Sequence, residues 1–184
     1  MPDTAPSAIT PSPVTLAEVA PDGLAAHLDD LAEVLRGCVL DGASVGFVLP
    51  FAVEAAREFW LGLEPAFRSG ARRLIVARLD GRVVGTVQLV LGMPANGIHR
   101  AEIAKLLVHP AARRRGIARR LMLAAEDLAR RHGRTLLLLD TRRGDSGEAL
   151  YESLGFRLFG IVPGHACSPT GVLEDTSYML KQLA

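Results

Sequence analysis

The order of apolar and polar positions along the chain predicts strands and helices arranged around one sheet. Apolar residues recur at helical spacing over residues 24–35, and Gly37 is a typical helix end. A second helix is predicted over about 53–63. Asp80-Gly81 lies between two β-rich runs and is the strongest short hairpin signal, so it predicts antiparallel pairing. Alternating or β-rich patterns predict strands over residues 14–19, 73–79, 82–91, 100–108, 156–162 and 176–183.

The middle of the chain predicts a strand–helix–strand unit. The strand over 100–108 cannot continue past Pro110, and four consecutive leucines over 136–139 are typical of a strand buried on both faces. Such a unit pairs its two strands in parallel. The helix between them ends at Gly133, and its apolar face is formed by Ile117, Leu121, Ala125 and Leu128.

These elements predict an α/β fold with a mixed, mostly antiparallel sheet, one central parallel pair and about four helices. The last of these helices opens with a capping box over 145–148 and ends at Gly155. A chain of 184 residues suits one domain. Four prolines within the first thirteen residues predict a loose tail over 1–12, followed by a single domain over 13–184.

Composition and charge exclude several classes of partner. With 49% apolar and 22% charged residues, the chain is typical of a globular protein. The formal net charge of +1 gives no general attraction to nucleic acid or to an anionic membrane, and no apolar run is long enough to cross a bilayer. Cys38 and Cys167 form no C-x-x-C motif and suit a reducing compartment. We therefore predict a cytoplasmic protein that binds neither nucleic acid nor membrane.

The most informative stretch is an arginine cluster at the start of the central helix. Five arginines fall within residues 113–120, where the helix dipole already places partial positive charge. This arrangement becomes favourable when an anion binds the free amides of the helix start, and the small residues Gly116 and Ala118 let a phosphate approach the backbone. The alternatives are a solvated helix face or a nucleic-acid patch. No aromatic residue for base stacking lies between Arg68 and Tyr151.

Three motifs in the correct order resemble the GNAT superfamily of acyl-CoA-dependent N-acyltransferases. Arg113-x-x-Gly116-x-Ala118 matches the superfamily's R/Q-x-x-G-x-G/A loop. Residues 101–108 look like its fourth strand, and residues 149–156 look like its helix-and-strand signature near the C-terminus. The resemblance implies a central parallel pair that is splayed.

The resemblance also implies how acetyl-CoA, as co-substrate, would bind. Backbone amides from Arg114 to Ala118 would cradle the pyrophosphate, and the strand end would pair with the pantetheine arm. An amide near Leu107 or Val108 would polarise the thioester carbonyl. The implied binding set is Leu106, Leu107, Val108, Arg113, Arg114, Arg115, Gly116, Ile117, Ala118 and Arg119.

Two residues match the superfamily's catalytic positions. Glu102 is the candidate base that removes a proton from the amine. The alternatives are that Glu102 pairs with an arginine, that it binds the substrate ammonium, or that a water chain replaces it. Tyr151 is the candidate acid for the departing thiolate, although a phenol of pKa about 10 donates uphill to a thiol of about 8.5. The alternative is that Tyr151 is an amphipathic core residue with its hydroxyl satisfied at the edge.

The function predicted from the resemblance is transfer of an acetyl group from acetyl-CoA to a primary amine of a small molecule, by direct attack in a ternary complex. The alternatives are a catalytically weak acyl-CoA sensor or adaptor of the same fold and, less favoured, a nucleic-acid binder. No metal is expected, because His99, His109 and His165 lack ligand spacing. The sequence identifies neither the acceptor amine nor the oligomeric state, for which a homodimer is the commonest assembly.

Overall fold

The computed structural model of the protein describes residues 13–183, and the predicted tail over residues 1–12 lies outside them. None of the helices in this described part is long and apolar enough to span a membrane. The strands are β1 (Thr15–Glu18), β2 (Arg72–Leu79), β3 (Arg82–Val90), β4 (Arg100–Val108), β5 (Leu136–Arg142), β6 (Arg157–Cys167) and β7 (Leu173–Gln182). The α-helices are α1 (Leu28–Leu40), α2 (Val53–Gly62), α3 (Glu64–Arg68), α4 (Ile117–Arg131) and α5 (Ser146–Ser153).

All seven strands join one sheet in the order β1-β2-β3-β4-β5-β7-β6. The β4–β5 pair is parallel, and every other neighbouring pair is antiparallel. α4 connects the two parallel strands, as the sequence predicts. The predicted α/β class, the mostly antiparallel sheet and the central parallel pair are therefore confirmed, and the short α3 is an addition to the four longer helices.

The sheet has an apolar core on each face. Successive side chains of a strand point to opposite faces, so Ile75 of β2 packs beneath α4 while its neighbours Leu74 and Val76 pack beneath α1 and α2. In this second core, the fully buried Trp60 of α2 donates a hydrogen bond from Nε1 to the Leu31 carbonyl oxygen at 3.0 Å. The α1–α2 layer is therefore held close over one face of the central strands.

The predicted helix end at Gly37 is wrong. α1 continues past this residue to Leu40, and a Cβ built on Gly37 would lie 2.9 Å from the ring of His109. Glycine is needed here because the His109 ring approaches the helix backbone closely.

The predicted end of a strand at residue 162 is also wrong, because β6 runs on to Cys167. Pro163 and Gly164 fall within a register shift of the β6–β7 pair. These two residues, which are typical of a turn, lie at an irregularity within the strand instead, because Pro is tolerated at bulges and on edge strands.

A buried ion pair joins α4 to the last strand. Lys181 Nζ lies 2.7 Å from Glu126 Oε1 and donates a second hydrogen bond to the Leu154 carbonyl oxygen at 2.6 Å. Glu126 is only 3% exposed. Replacing Lys181 with methionine is expected to lower the free energy of unfolding by about 3 kcal/mol, because a buried carboxylate loses its nearest cation. Urea denaturation measures this change.

The matched control is the double variant Lys181→Met, Glu126→Gln. It leaves no buried charge and is expected to recover part of the lost stability. Equal stability of the single variant and the unaltered protein would contradict the expected role of the pair.

Candidate active site

The two central parallel strands separate after a short common stretch. β4 pairs with β5 only over residues 100–102, opposite residues 136–138. From Ile103 onward, the β5-facing edge of β4 has no partner strand among the described residues. The backbone groups of residues 103–108 that point away from β3 therefore face no strand and can pair with an extended ligand. The exception is the Val108 carbonyl oxygen, which accepts hydrogen bonds from Cys38 Sγ and Arg113 Nε.

A β-bulge in β4 accounts for this separation. The register with β3 shifts between Thr86 and Gln88, so Lys105 and the residue after it together oppose a single residue of β3. Lys105 has a left-handed backbone with a φ of 49°, and its carbonyl oxygen accepts a hydrogen bond from Thr86 Oγ1 at 2.9 Å. Because a bulge bends the strand that contains it, this irregularity, three residues after the last pair with β5, favours the separation of the two strands.

The turn between β4 and α4 presents free backbone amides to solvent. The amides of Arg114, Arg115 and Gly116 donate to no acceptor among the described residues, and all three residues are exposed. Arg114 and Gly116 have left-handed backbones, with φ values of 64° and 70°, and a Cβ on Gly116 would meet no atom within 4 Å. Successive free amides at the positive end of a helix dipole form a site for an anion. A diphosphate therefore fits this turn, since no protein contact occupies the amides.

The five arginines of this turn and helix start divide into two groups. Arg113 forms an ion pair with Asp41 and donates from Nε to the Val108 carbonyl oxygen at 3.2 Å. Arg119 donates from Nη2 to Ser153 Oγ at 2.6 Å, which joins α4 to α5. The remaining three, which have no partner among the described residues and so can neutralise an anion, are Arg114, Arg115 and Arg120.

Glu102 lies at the point where the central strands part. It is exposed, it faces Val90 of β3 in the register, and it belongs to the last pair that β4 makes with β5. The Glu102 carboxylate raises the pKa of Arg72 of β2, against the larger lowering of that pKa by burial. No ion pair within 4.0 Å joins Glu102 to any described residue. Its carboxylate is therefore free to act on a ligand in the opening.

Tyr151 lies in α5 with its ring 5.9 Å from that of Phe156, and it is 8% exposed. Its hydroxyl has no hydrogen-bond partner among the described residues. Burial raises the pKa of the phenol well above its usual range, and the nearby carboxylates of Asp145 and Asp140 add to the effect. Tyr151 therefore keeps its proton throughout the physiological range and can act as a hydrogen-bond donor.

One arginine that the sequence analysis did not single out connects several segments around the site. Arg142, at the end of β5, donates to the Gly42 carbonyl oxygen at 3.2 Å and lies 3.3 Å from both Glu174 and Asp145. Asp145 caps α5 by accepting a hydrogen bond from the Gly147 amide. The same side chain therefore positions the loop after α1 and the helix that carries Tyr151.

Three further residues near the opening were not predicted as site residues. They are Arg72 of β2, Gln88 of β3 and Lys105 of β4, all on the side covered by α2. A single sequence carries little signal for them, because each is an ordinary strand residue until the register places it beside the others.

The described residues contain no group of His, Cys, Asp or Glu side chains that could hold a metal ion.

Replacing Tyr151 with phenylalanine is expected to change how stability depends on pH. The phenol pKa is higher in the folded than in the unfolded state, so its contribution is complete below about pH 10 and is lost as the pH rises through the folded pKa. Above pH 10, the free energy of unfolding of the unaltered protein should fall by up to about 1.4 kcal/mol per pH unit more than that of the variant. Urea denaturation at pH 8 and 11 measures this; parallel losses in both proteins would contradict it.

The fold and the site together place a turn of free amides at a helix start beside an open strand edge. Residues 35–156 match the model of the Acetyltransferase (GNAT) family. The chain therefore belongs to this family of acetyltransferases, which confirms the resemblance found in the sequence.

Individual relatives agree with this assignment. An uncharacterized N-acetyltransferase from the hisH-hisA intergenic region of Azospirillum brasilense is 38% identical over 117 residues, which are 62% of this chain and 68% of the relative. A GCN5-related N-acetyltransferase from Kribbella flavida is 27% identical, with 92% of this chain and 98% of that chain covered and a TM-score of 0.75. The fold is shared with yncA from Salmonella typhimurium, whose structure contains acetyl-CoA, at 21% identity, 93% and 94% coverage and a TM-score of 0.75.

Proposed function

We propose that this protein transfers an acetyl group from acetyl-CoA to a primary amine of a small molecule, by direct attack in a ternary complex. The observation that supports this most is the row of free amides at Arg114, Arg115 and Gly116, next to the unpaired edge of β4. A diphosphate and an amide-bearing arm are the two chemical features of coenzyme A that such neighbouring sites would hold.

The chain's own groups would hold the co-substrate in two places. The amides from Arg114 to Ala118 would bind the diphosphate, helped by the unpartnered arginine side chains of the turn. The backbone edge over residues 106–108 would hydrogen-bond the pantetheine amides as an added strand does. When bound, acetyl-CoA supplies a thioester whose carbonyl carbon the acceptor nitrogen attacks.

Three groups of the protein then serve the transfer. Glu102 accepts the proton that the acceptor ammonium must lose, directly or through water. A backbone amide of Leu107 or Val108 donates to the thioester oxygen, a role that contributes about 3 kcal/mol in other acyl transfers. Tyr151 donates a hydrogen bond to the departing sulfur and keeps its own proton, because its pKa is raised by burial. The thiolate then takes a proton from solvent, and Glu102 releases to solvent the proton that it accepted. No cysteine takes part.

The helical layer over β4 supports a small acceptor. α1 and α2 cover this side of the strands, and the aromatic side chains of Phe47 and Phe59 pack on the core beneath them with their rings 5.2 Å apart. Beneath this layer, Gln88 is fully buried and Lys105 is half-buried. The two free cysteines, Cys38 and Cys167, support a reducing, cytoplasmic location for the reaction.

The test measures thiol release from acetyl-CoA with a panel of primary amines, beside calorimetric binding of CoA. We expect CoA to bind and at least one amine to accept the acetyl group. CoA binding without turnover of any amine would indicate that the protein is an acyl-CoA sensor of the same fold and not an enzyme. No binding of CoA would overturn the proposal.

A further inference from the structure

The side of the sheet beneath α2 contains a buried amide donor with no acceptor. Gln88 is fully buried, and its Oε1 accepts a hydrogen bond from Arg72 Nη1. Because a guanidinium only donates, this contact fixes the orientation of the Gln88 amide. Nε2 of Gln88 is then left buried without a partner among the described residues. Such a group costs about 1–3 kcal/mol when unpaired, so its persistence here requires an explanation.

A lysine without a hydrogen-bond or ion-pair partner lies close by. Lys105 Nζ is 5.4 Å from the centre of the Phe59 ring, and among the described residues it has neither an ion pair nor a hydrogen bond. Burial lowers the pKa of Lys105, and the positive charge of Arg72 lowers it further, against the opposing effect of Asp140. The two cations therefore lie within electrostatic reach of each other.

The positive charge of Arg72 is also only partly compensated by carboxylates. Burial lowers the pKa of its guanidinium, and Glu102 is the carboxylate that acts against this. Among the described residues, neither Arg72 nor Lys105 has a carboxylate within 4.0 Å. Two partly desolvated cations without a carboxylate partner and one buried amide donor without an acceptor thus lie on the same side of the sheet, where an oxyanion would supply the missing acceptor.

The register relates these three side chains to the candidate base, Glu102. Arg72 faces Val90 across the β2–β3 pair, and Val90 faces Glu102 across the β3–β4 pair. Directly opposed residues share a face of the sheet, so Arg72 and Glu102 lie on the same face two strands apart, at a backbone separation of about 10 Å. A molecule lying across Val90 could place one end at each side chain.

We infer that Arg72, Lys105 and Gln88 form a carboxylate-binding subsite, so that the acceptor is an amine that also carries a carboxylate. This inference rests on the proposed function, since it assigns the substrate class of the same site. The acceptor's ammonium faces Glu102, and its carboxylate accepts hydrogen bonds from the guanidinium, the ammonium of Lys105 and the Gln88 amide. The Glu102 carboxylate repels the acidic end, which fixes the direction in which the acceptor lies.

The experiment compares acids with their matched carboxamides. The panel is the protein amino acids with β-alanine and γ-aminobutyrate, each beside its carboxamide, so that the amine is kept and only the carboxylate is lost. Two quantities are measured: kcat/KM for thiol release with acetyl-CoA, and the unfolding temperature of the protein with CoA, which permits no transfer. We expect the best acid to exceed its carboxamide at least about tenfold in kcat/KM and to raise the unfolding temperature more.

Variants test whether the subsite causes the preference for the acid over its carboxamide. Arg72→Gln and Lys105→Met should each lower kcat/KM for the acid by about tenfold to a hundredfold and leave the carboxamide within a few-fold. Arg157→Gln, on the exposed start of β6, is the matched control and should change neither. Lys105→Met keeps the length of the side chain, so it decides the matter if Arg72→Gln fails to fold.

Two results would overturn the subsite. The first is equal behaviour of acids and carboxamides in both measurements; the second is an equal loss on acid and carboxamide in the variants. If acetyl transfer to every amine is absent while acids still stabilise the CoA complex and the variants abolish this, the subsite stands and the proposed function fails. If amines are acetylated without regard to the carboxylate, the proposed function stands and the subsite fails.

Discussion

Replacing Glu102 with glutamine is expected to lower kcat by about 10²- to 10⁴-fold, because the amide cannot take the proton that the acceptor ammonium must lose. The side chain is exposed at the parting of β4 and β5 and makes no ion pair among the described residues. Its loss should therefore leave the fold and the affinity for CoA unchanged. Steady-state kinetics and calorimetric titration with CoA measure these outcomes.

The same kinetics separate the alternative roles of Glu102. A residue that only binds the ammonium would raise KM for the amine and leave kcat nearly unchanged. A water chain that works without Glu102 would leave both constants within a few-fold. The control is Glu33→Gln, an exposed carboxylate of α1 that pairs with Arg36. A loss of activity in the control as large as in the Glu102 variant would show that the effect is not specific.

Replacing Gly116 with alanine is expected to weaken binding of CoA by about tenfold to a hundredfold. Gly116 has a φ of 70°, and a Cβ there would project into open space beside the free amides. In the proposed complex that space holds the diphosphate, so the methyl group would push it away from its hydrogen-bond donors. Calorimetric titration with CoA measures the change in Kd.

Gly133, at the other end of α4, provides a matched control. Its φ is 67°, and a Cβ on it would likewise meet no atom within 4 Å. Alanine at either position costs roughly 1 kcal/mol of backbone strain. The two variants should therefore lose similar stability, and only Gly116→Ala should lose affinity for CoA. Equal affinities in the two variants would place the diphosphate elsewhere.

The features that the sequence predicted are local ones. Asp80-Gly81 does join β2 to β3, and the leucine run over residues 136–139 does lie in the parallel strand β5. In both cases the signal lies within a few residues of the structure it predicts. The turn before α4 is also encoded locally, because its glycine and the arginines before it are consecutive in the chain, and its binding of an anion stays a prediction.

The features that could not be predicted depend on distant residues. Gly37 does not end its helix, because His109, 72 positions away, needs the space of its missing side chain. Arg113 binds Asp41 across the same separation, which the pattern of the loop itself does not encode. The subsite around Gln88 follows from the register of three strands, and a single sequence does not specify register at that level.

The extra residue at position 105 also decides which face the end of β4 presents to each core. Leu107 is buried beneath α1 and α2, whereas Leu106 and Val108 pack on the α4 side. Because side chains alternate along a strand, deletion of Lys105 would exchange these faces for every later residue of β4. Loss of a single codon would therefore disturb both cores at once, although the sequence of the following turn and helix would be intact.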